Sequence, residues 1–248
     1  MTDEPLPPPP SAPPPPPQEP PPADPEPSPI PWEDRARLGF GSALIENVKL
    51  FVTAPQDGYR RMMEKGDYAS PIIFGIILGW IGTALGYLWN LLFGGSMMLL
   101  PGMSEEMGPA MLMQGAASAI GLVIAPIFIL IGLFVGAGIF HLCLMVIKGL
   151  EGSQAGFEGT LRVLSYASVA QLAQVIPFVG GLIALVWLIF LYVVGLSTVH
   201  RTTQGKALLA VLLPIILCCV CGVIIMVLAF GGLMAGSGAI DPGAFEAN

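Results

Sequence analysis

Five long runs without a charged side chain constrain this chain more than any other feature. They cover residues 71–93, 116–147, 163–179, 182–199 and 207–230, and none contains Asp, Glu, Lys or Arg. A helix needs about 20 mostly apolar residues to cross the hydrocarbon core of a bilayer. Only 11% of the chain is charged, against about 25% in soluble domains. The sequence therefore predicts an all-α integral membrane protein with five transmembrane helices.

Two of these runs are not simple spans. Run 116–147 is longer than one crossing needs, so we expect it to tilt, to project past the bilayer or to kink at Pro126. Run 163–179 is the shortest and the most polar, with Ser165, Ser168, Gln171 and Gln174 inside it.

The basic residues predict how the chain is oriented. Short cytoplasmic loops of membrane proteins are enriched in Lys and Arg. The ten basic residues are Arg35, Arg37, Lys49, Arg60, Arg61, Lys65, Lys148, Arg162, Arg201 and Lys206. Five crossings place all ten on one side, which predicts a cytoplasmic N-terminus and an outside C-terminus. They form no basic stripe, so we expect no nucleic-acid partner.

Residues 1–31 form a proline-rich segment, with 17 of the 25 prolines between residues 5 and 31. Proline donates no backbone hydrogen bond and favours an extended polyproline II conformation. We predict a disordered cytoplasmic tail, which is either a solvated spacer or a docking strip for a proline-binding protein.

Residues 32–66 have the pattern of helices that lie on a membrane surface. Phe40, Leu44, Val48 and Phe51 recur at helical spacing, which predicts an amphipathic helix over 37–53. We expect Arg60, Arg61 and Lys65 on the following short helix to face lipid head groups. A membrane domain at 67–232 and a flexible C-terminal tail at 233–248 complete the predicted organisation.

His141 is an ionisable side chain within the second apolar run. At a rise of 1.5 Å per residue it lies about 10 Å inward from Lys148, at a depth similar to those of Ser168, Gln171 and Tyr192. We predict that these four side chains form a hydrogen-bonded layer that holds the helices together. The alternative is a small channel or transporter centred on this layer, since intramembrane titratable groups mark such paths.

Three further patterns have a packing interpretation beside a functional one. Six methionines in the outer loop 97–113 predict either adaptable packing or a cuprous copper site. Four glycines of the first run recur at small-residue spacing, which predicts close helix approach within the bundle or in a dimer. These glycines are Gly75, Gly79, Gly82 and Gly86. Cys218, Cys219 and Cys221 are predicted to pack as small apolar side chains.

The sequence also resembles the bacterial branch of the Yip family, whose members were named for interaction with Ypt/Rab GTPases. The resemblance covers residue 32 to about 230, and its motifs are T-L-R-V at 160–163, I-P-F-V-G at 176–180, G-L at 195–196 and G-K-A at 205–207. It implies five helices and no catalytic residues. Ala170 stands before Gln171 where the family usually has proline. The acidic-aromatic segment of the eukaryotic trafficking members is absent, so Rab binding is not carried over.

Together these patterns predict a non-enzymatic, multi-pass protein of the bacterial inner membrane, without cofactor or metal. No metalloprotease or nucleotide-binding motif is present. We expect the protein to organise membrane or recruit partners at its cytoplasmic face, where Lys148, Arg162, Arg201 and Lys206 contact lipids or a protein partner. A homo-oligomer is an open alternative, and a eukaryotic endomembrane is the alternative location.

Overall fold

The computed structural model describes residues 29–63, 65–97 and 103–237, with side chains at 29–63, 65–93 and 113–228. The predicted all-α class is confirmed for these residues, which contain no strand. The helices are α1 (Arg35–Leu38), α2 (Phe40–Thr53), α3 (Pro55–Arg61), α4 (Ala69–Met97), α5 (Met103–Val146), α6 (Gly156–Ala167), α7 (Gly180–Val199) and α8 (Gln204–Ser237). A 3₁₀ helix, Ser168–Val175, continues α6 directly.

Four helices within the described residues are long and apolar enough to cross a membrane. The crossing segments are Ala69–Phe93 in α4, Met113–Val146 in α5, Gly180–Val199 in α7 and Gln204–Leu228 in α8. The predicted third span at 163–179 is not among them, because α6 gives way to 3₁₀ geometry at Ser168 and becomes extended at Ile176. This segment packs against α4 and α7.

The contacts define two ends of the bundle. At one end, the Gly66 N–H donates to the Glu158 carboxylate at 2.7 Å, and the Lys206 ammonium donates to the Lys148 carbonyl at 2.8 Å. We call this the basic end, because the chain segments that meet there, together with α1–α3, contain all ten Lys and Arg residues. At the other end, the Trp89 indole N–H donates to the Gln174 carbonyl at 2.9 Å.

Helix α5 is continuous through Pro126 and is far longer than one crossing requires. Its 44 residues measure about 66 Å, which exceeds a bilayer core of about 30 Å. Its first residues, from Met103, belong to the predicted methionine-rich loop. The side chains at 98–112, and the segments 1–28 and 238–248 of the predicted tails, lie outside the described residues.

The glycines of α4 allow it to approach its neighbours closely. A Cβ at Gly82 would lie 2.7 Å from the Cβ of Gln171 in the 3₁₀ helix. A Cβ at Gly79 would lie 3.2 Å from Ile129 of α5, and one at Gly75 would lie 3.1 Å from the Cα of Ser165. The predicted close approach is therefore confirmed within the bundle.

The N-terminal region packs onto the bundle through aromatic side chains. The ring of Phe51 on α2 stacks on Tyr166 of α6 with centroids 5.2 Å apart. Trp32, which precedes α1, is fully buried and its indole N–H donates to the Ser70 carbonyl at 2.7 Å. The predicted helix at 37–53 is divided into α1 and α2 at Gly39, whose φ of 83° favours glycine.

Candidate functional site

A buried ion-pair cluster joins the N-terminal segment to the basic end of the bundle. Arg162 on α6 is fully buried, and its Nη1 lies 3.0 Å from Oε1 of Glu33, a residue 129 positions earlier in the chain. Its Nε and Nη2 also donate to Oε1 of Glu158 at 3.1 and 2.8 Å. We call Glu33, Glu158, Arg162 and Tyr166 the clamp.

Further polar atoms of the clamp are also paired, as buried charges require. The Tyr166 hydroxyl and the Met63 N–H each donate to a different carboxylate oxygen of Glu33, both at 3.0 Å. Nη2 of Arg162 also donates to the Asp67 carbonyl at 2.8 Å. Burial raises the pKa of Glu33, and the bonds from Met63 and Tyr166, together with the charge of Arg162, oppose that rise.

The start of α4 is tied to the same cluster. The Arg35 guanidinium donates to the Ser70 hydroxyl at 2.6 Å and lies 5.3 Å from the centre of the Trp32 ring. The Ser70 hydroxyl in turn donates to the Asp67 carboxylate and holds the pKa of that acid below its usual range. The chain immediately after the proline-rich segment is thus fixed to the bundle by side-chain and main-chain bonds.

A second buried cluster joins the chain's two histidines at the basic end. Thr160 on α6 lies between them, with its hydroxyl oxygen 2.9 Å from Nδ1 of His141 and 2.8 Å from Nε2 of His200. The other ring nitrogen of His200 lies 2.7 Å from the Ser153 hydroxyl. Because a hydroxyl has one proton, Thr160 donates to at most one of the two imidazoles and accepts from the other. Burial, and then the nearby His141, lower the pKa of His200 to about 4.

The predicted polar layer is divided between two places. Ser168, Gln171 and Tyr192 line one cleft of about 290 Å³ between α4, α5, the 3₁₀ helix and α7. His141 is not among the residues that line it, and its hydrogen bond goes to Thr160 instead. The cleft is lined by apolar and neutral polar side chains, with Gly79, Gly132 and Gly136 in its walls.

The structure separates the seven predicted lipid or partner contacts. Lys148, Arg201 and Lys206 converge on one hollow at the basic end. Arg60 and Lys65 are exposed near α3, and Arg61 pairs with Asp57 at 3.2 Å. Arg162 differs from the other six, because its fully buried guanidinium lies within the clamp and is not exposed to head groups.

Sequence reasoning missed five residues of the two clusters: Glu33, Glu158, Thr160, Tyr166 and His200. Glu33, Thr160 and His200 have no local pattern that marks them, since each acts through a partner from a different element. The T-L-R-V motif at 160–163 was the available signal, because it contains both Thr160 and Arg162. Among the residues whose side chains are described, no group of three His, Cys, Asp or Glu is arranged to hold a metal ion.

Comparison with known proteins identifies one related family. A family model described as the Yip1 domain matches residues 49–238. This range includes α4–α8 and most of the clamp, while Glu33 precedes it. No curated protein and no solved structure matches the chain.

Proposed function

This chain belongs to the Yip1 domain family of multi-pass membrane proteins, and from that premise we propose that it is a non-enzymatic scaffold of the bacterial inner membrane. In this proposal the basic end faces the cytoplasm, where it organises lipids and presents the proline-rich tail to a protein partner. The observation that carries the proposal is the clamp. A scaffold needs a fixed point from which a flexible recruiting segment extends, and Glu33 provides that point.

The energetics of the clamp favour a positional role. A buried ion pair adds little net stability compared with apolar packing, but removing one partner is costly. The pair between Arg162 and Glu33 is fully buried and connects segments far apart in sequence. Such a pair fixes Glu33, and with it the chain that directly follows the tail, to α6 of the bundle. The buried side chains of Ile30 and Trp32 support the same role, because they pack the residues at the end of the tail into the hydrophobic core.

We propose that α6 and the 3₁₀ helix together make the third of five crossings. Twelve α-helical and eight 3₁₀ residues span about 34 Å, enough for a hydrocarbon core of about 30 Å. Irregular backbone is tolerated at membrane depth where protein surrounds it, and α4 and α7 both pack against the 3₁₀ helix. The bonds of α6 at the basic end and of Gln174 at the other end support a full crossing.

We further propose that α2 lies at the cytoplasmic membrane surface. Its packing face contains Ala43, Asn47 and Phe51, which are buried against the bundle. On another face, Ile45 and Val52 are 57% and 46% exposed, so an apolar stripe is left for lipid. Lys49 is exposed on a polar side of the helix. One helix thus offers a face to protein, a face to acyl chains and a face to water.

Cross-linked affinity purification from native membranes tests the recruiting role. We would compare the full chain with a variant lacking residues 1–28, which spares the buried Ile30 and Trp32. A matched control keeps the length of the tail but replaces its prolines with serine. The proposal predicts one stoichiometric partner that is lost in both variants, because polyproline II recognition requires the prolines.

Two outcomes would contradict this role. If the partner is kept by the truncated chain, the tail is a spacer and recruitment belongs to α2 or the loops. If the full chain captures no partner, recruitment through the tail is wrong. A Glu33→Gln variant adds a test of the fixed point, since the scaffold proposal predicts weaker capture while the tail itself is unchanged.

A further inference from the structure

A small hollow opens at the basic end between the loop after α5 and the loop after α7. Its volume is about 190 Å³, and three cationic side chains line it: Lys148, Arg201 and Lys206. Glu151 is the acidic residue in the same lining, so the hollow has an excess of two positive charges. The hydroxyls of Thr202 and Thr203 add neutral polar groups. This composition suits an anion that carries several acceptor oxygens.

The hollow is held together by a specific contact between its two walls. The Lys206 ammonium donates to the Lys148 carbonyl at 2.8 Å, which joins the start of α8 to the end of α5. Lys148 and Arg201 both have left-handed backbone conformations, with φ of 53° and 52°. This is the usual conformation of the residue that ends a helix in a Schellman motif, and the bonds from Gly149 N–H to the Leu144 carbonyl (2.7 Å) and from Thr202 N–H to the Ser197 carbonyl (3.0 Å) complete that motif. The two capped helix ends therefore fix the backbone of both cations on facing loops.

The hollow lies beside the ends of three segments that are long and apolar enough to cross a membrane. Lys148 and Arg201 each follow the end of a membrane-crossing segment by two residues, and Lys206 is in the first turn of another. The head-group layer extends several ångströms beyond the hydrocarbon core on each side. Side chains so close to the segment ends are within reach of this layer.

We propose that the hollow binds the phosphate group of an anionic lipid head group. Lysine and arginine are the common partners of phosphate, and arginine can donate to two oxygens at once. Basic pockets between membrane helices at the cytoplasmic side are suited to such head groups. The inference rests on the proposed orientation of the basic end. Capture of a partner by the proline-rich tail does not use the hollow, so the two proposals can fail separately.

Native mass spectrometry of the purified full-length chain tests this site. The probes are phosphatidylglycerol, phosphatidylcholine as a neutral-lipid comparison, and inorganic phosphate as a competitor. The test variant combines Lys148→Asn, Arg201→Asn and Lys206→Gln, because asparagine tolerates the left-handed conformation. Each cation contributes about a fivefold factor near anionic lipid, so we expect roughly a hundredfold loss of phosphatidylglycerol affinity.

A charge-matched control lowers the net charge by the same three units outside the hollow with Arg37→Gln and Lys49→Glu, both at exposed positions. The proposal predicts that this control retains phosphatidylglycerol as the native chain does. Equal losses in both variants would overturn it, since they would indicate diffuse surface charge. Displacement of the lipid by inorganic phosphate at equal concentration would overturn the lipid as the source of the phosphate.

If the triple variant does not fold, as judged from its thermal unfolding, Lys148→Asn alone keeps the proposal testable. We expect about a fivefold loss for this single change. Unchanged phosphatidylglycerol binding in a folded Lys148→Asn protein would overturn the proposal.

Discussion

At the scale of single residues, the central side chains of both buried clusters belong to one short motif, T-L-R-V at 160–163. Thr160 lies between the two histidines, and two residues later Arg162 forms the ion pairs of the clamp. The residue types at these positions were visible in the sequence, but their partners were not. Glu33 and His200 approach α6 from elements far away in the chain, and local periodicity contains no information about such long-range pairs.

Arg162→Gln is expected to destabilise the protein strongly. It leaves the Glu33 and Glu158 carboxylates buried without a cation, and breaking a buried pair in this way costs about 3–5 kcal/mol. The measurement is the unfolding midpoint in detergent. Arg37→Gln is the matched control, because its ion pair with Asp34 is exposed and contributes no more than about 1 kcal/mol. Equal effects of the two changes would contradict the clamp.

The pH dependence of stability is expected to include a contribution from His200. Its pKa in the folded protein is about 4, below the ordinary value of 6.5, so the unfolded chain binds the proton first as the pH falls. Stability is therefore lost between about pH 6.5 and about pH 4, by roughly 3 kcal/mol at most. The groups facing this ring are His141, Thr160 and Ser153.

Comparing the native chain with a His200→Gln variant across this pH range isolates that contribution. Titration of His141 is common to both proteins, so the difference between their unfolding midpoints reports His200. We expect the native chain to lose stability relative to the variant as the pH falls. A difference that stays constant with pH would show that His200 is not buried in its neutral form.

At the scale of elements, the sequence was informative where one helix could be judged alone. Four long apolar runs became α4, α5, α7 and α8, because the length and apolarity of a span are local properties. The third run became α6 and a 3₁₀ helix, and this could not be foreseen. Its polar residues signalled an unusual segment, but its geometry depends on how closely α4 approaches it.

Gly82→Ala tests the contact between α4 and the 3₁₀ helix. The added methyl group would lie 2.7 Å from the Gln171 Cβ, and overpacking of this kind typically costs about 1–3 kcal/mol. Gly121→Ala on α5 is the control, since no atom lies within 4 Å of its added methyl group. We expect a lower unfolding midpoint for the first variant and no loss for the second. Tolerance of alanine at Gly82 would contradict the close packing.

At the scale of the whole molecule, the proposal assigns different roles to the two ends of the bundle. The basic end contains the clamp, the buried cluster of Thr160 with the two histidines, and the cationic hollow. Composition and charge predicted that the basic residues lie together. They could not predict that Arg162 is buried while Lys148, Arg201 and Lys206 surround a hollow, because charge counting does not distinguish internal from external cations.

The number of crossings is the claim on which this arrangement depends most directly. Reporter fusions at the C-terminal residue, Asn248, measure it: alkaline phosphatase is active only outside the cytoplasm, and green fluorescent protein fluoresces only inside. Five crossings with the basic end cytoplasmic predict an active phosphatase and a dark fluorescent protein. An inactive phosphatase with a bright fluorescent protein would place the C-terminus in the cytoplasm, and would contradict five crossings with a cytoplasmic basic end.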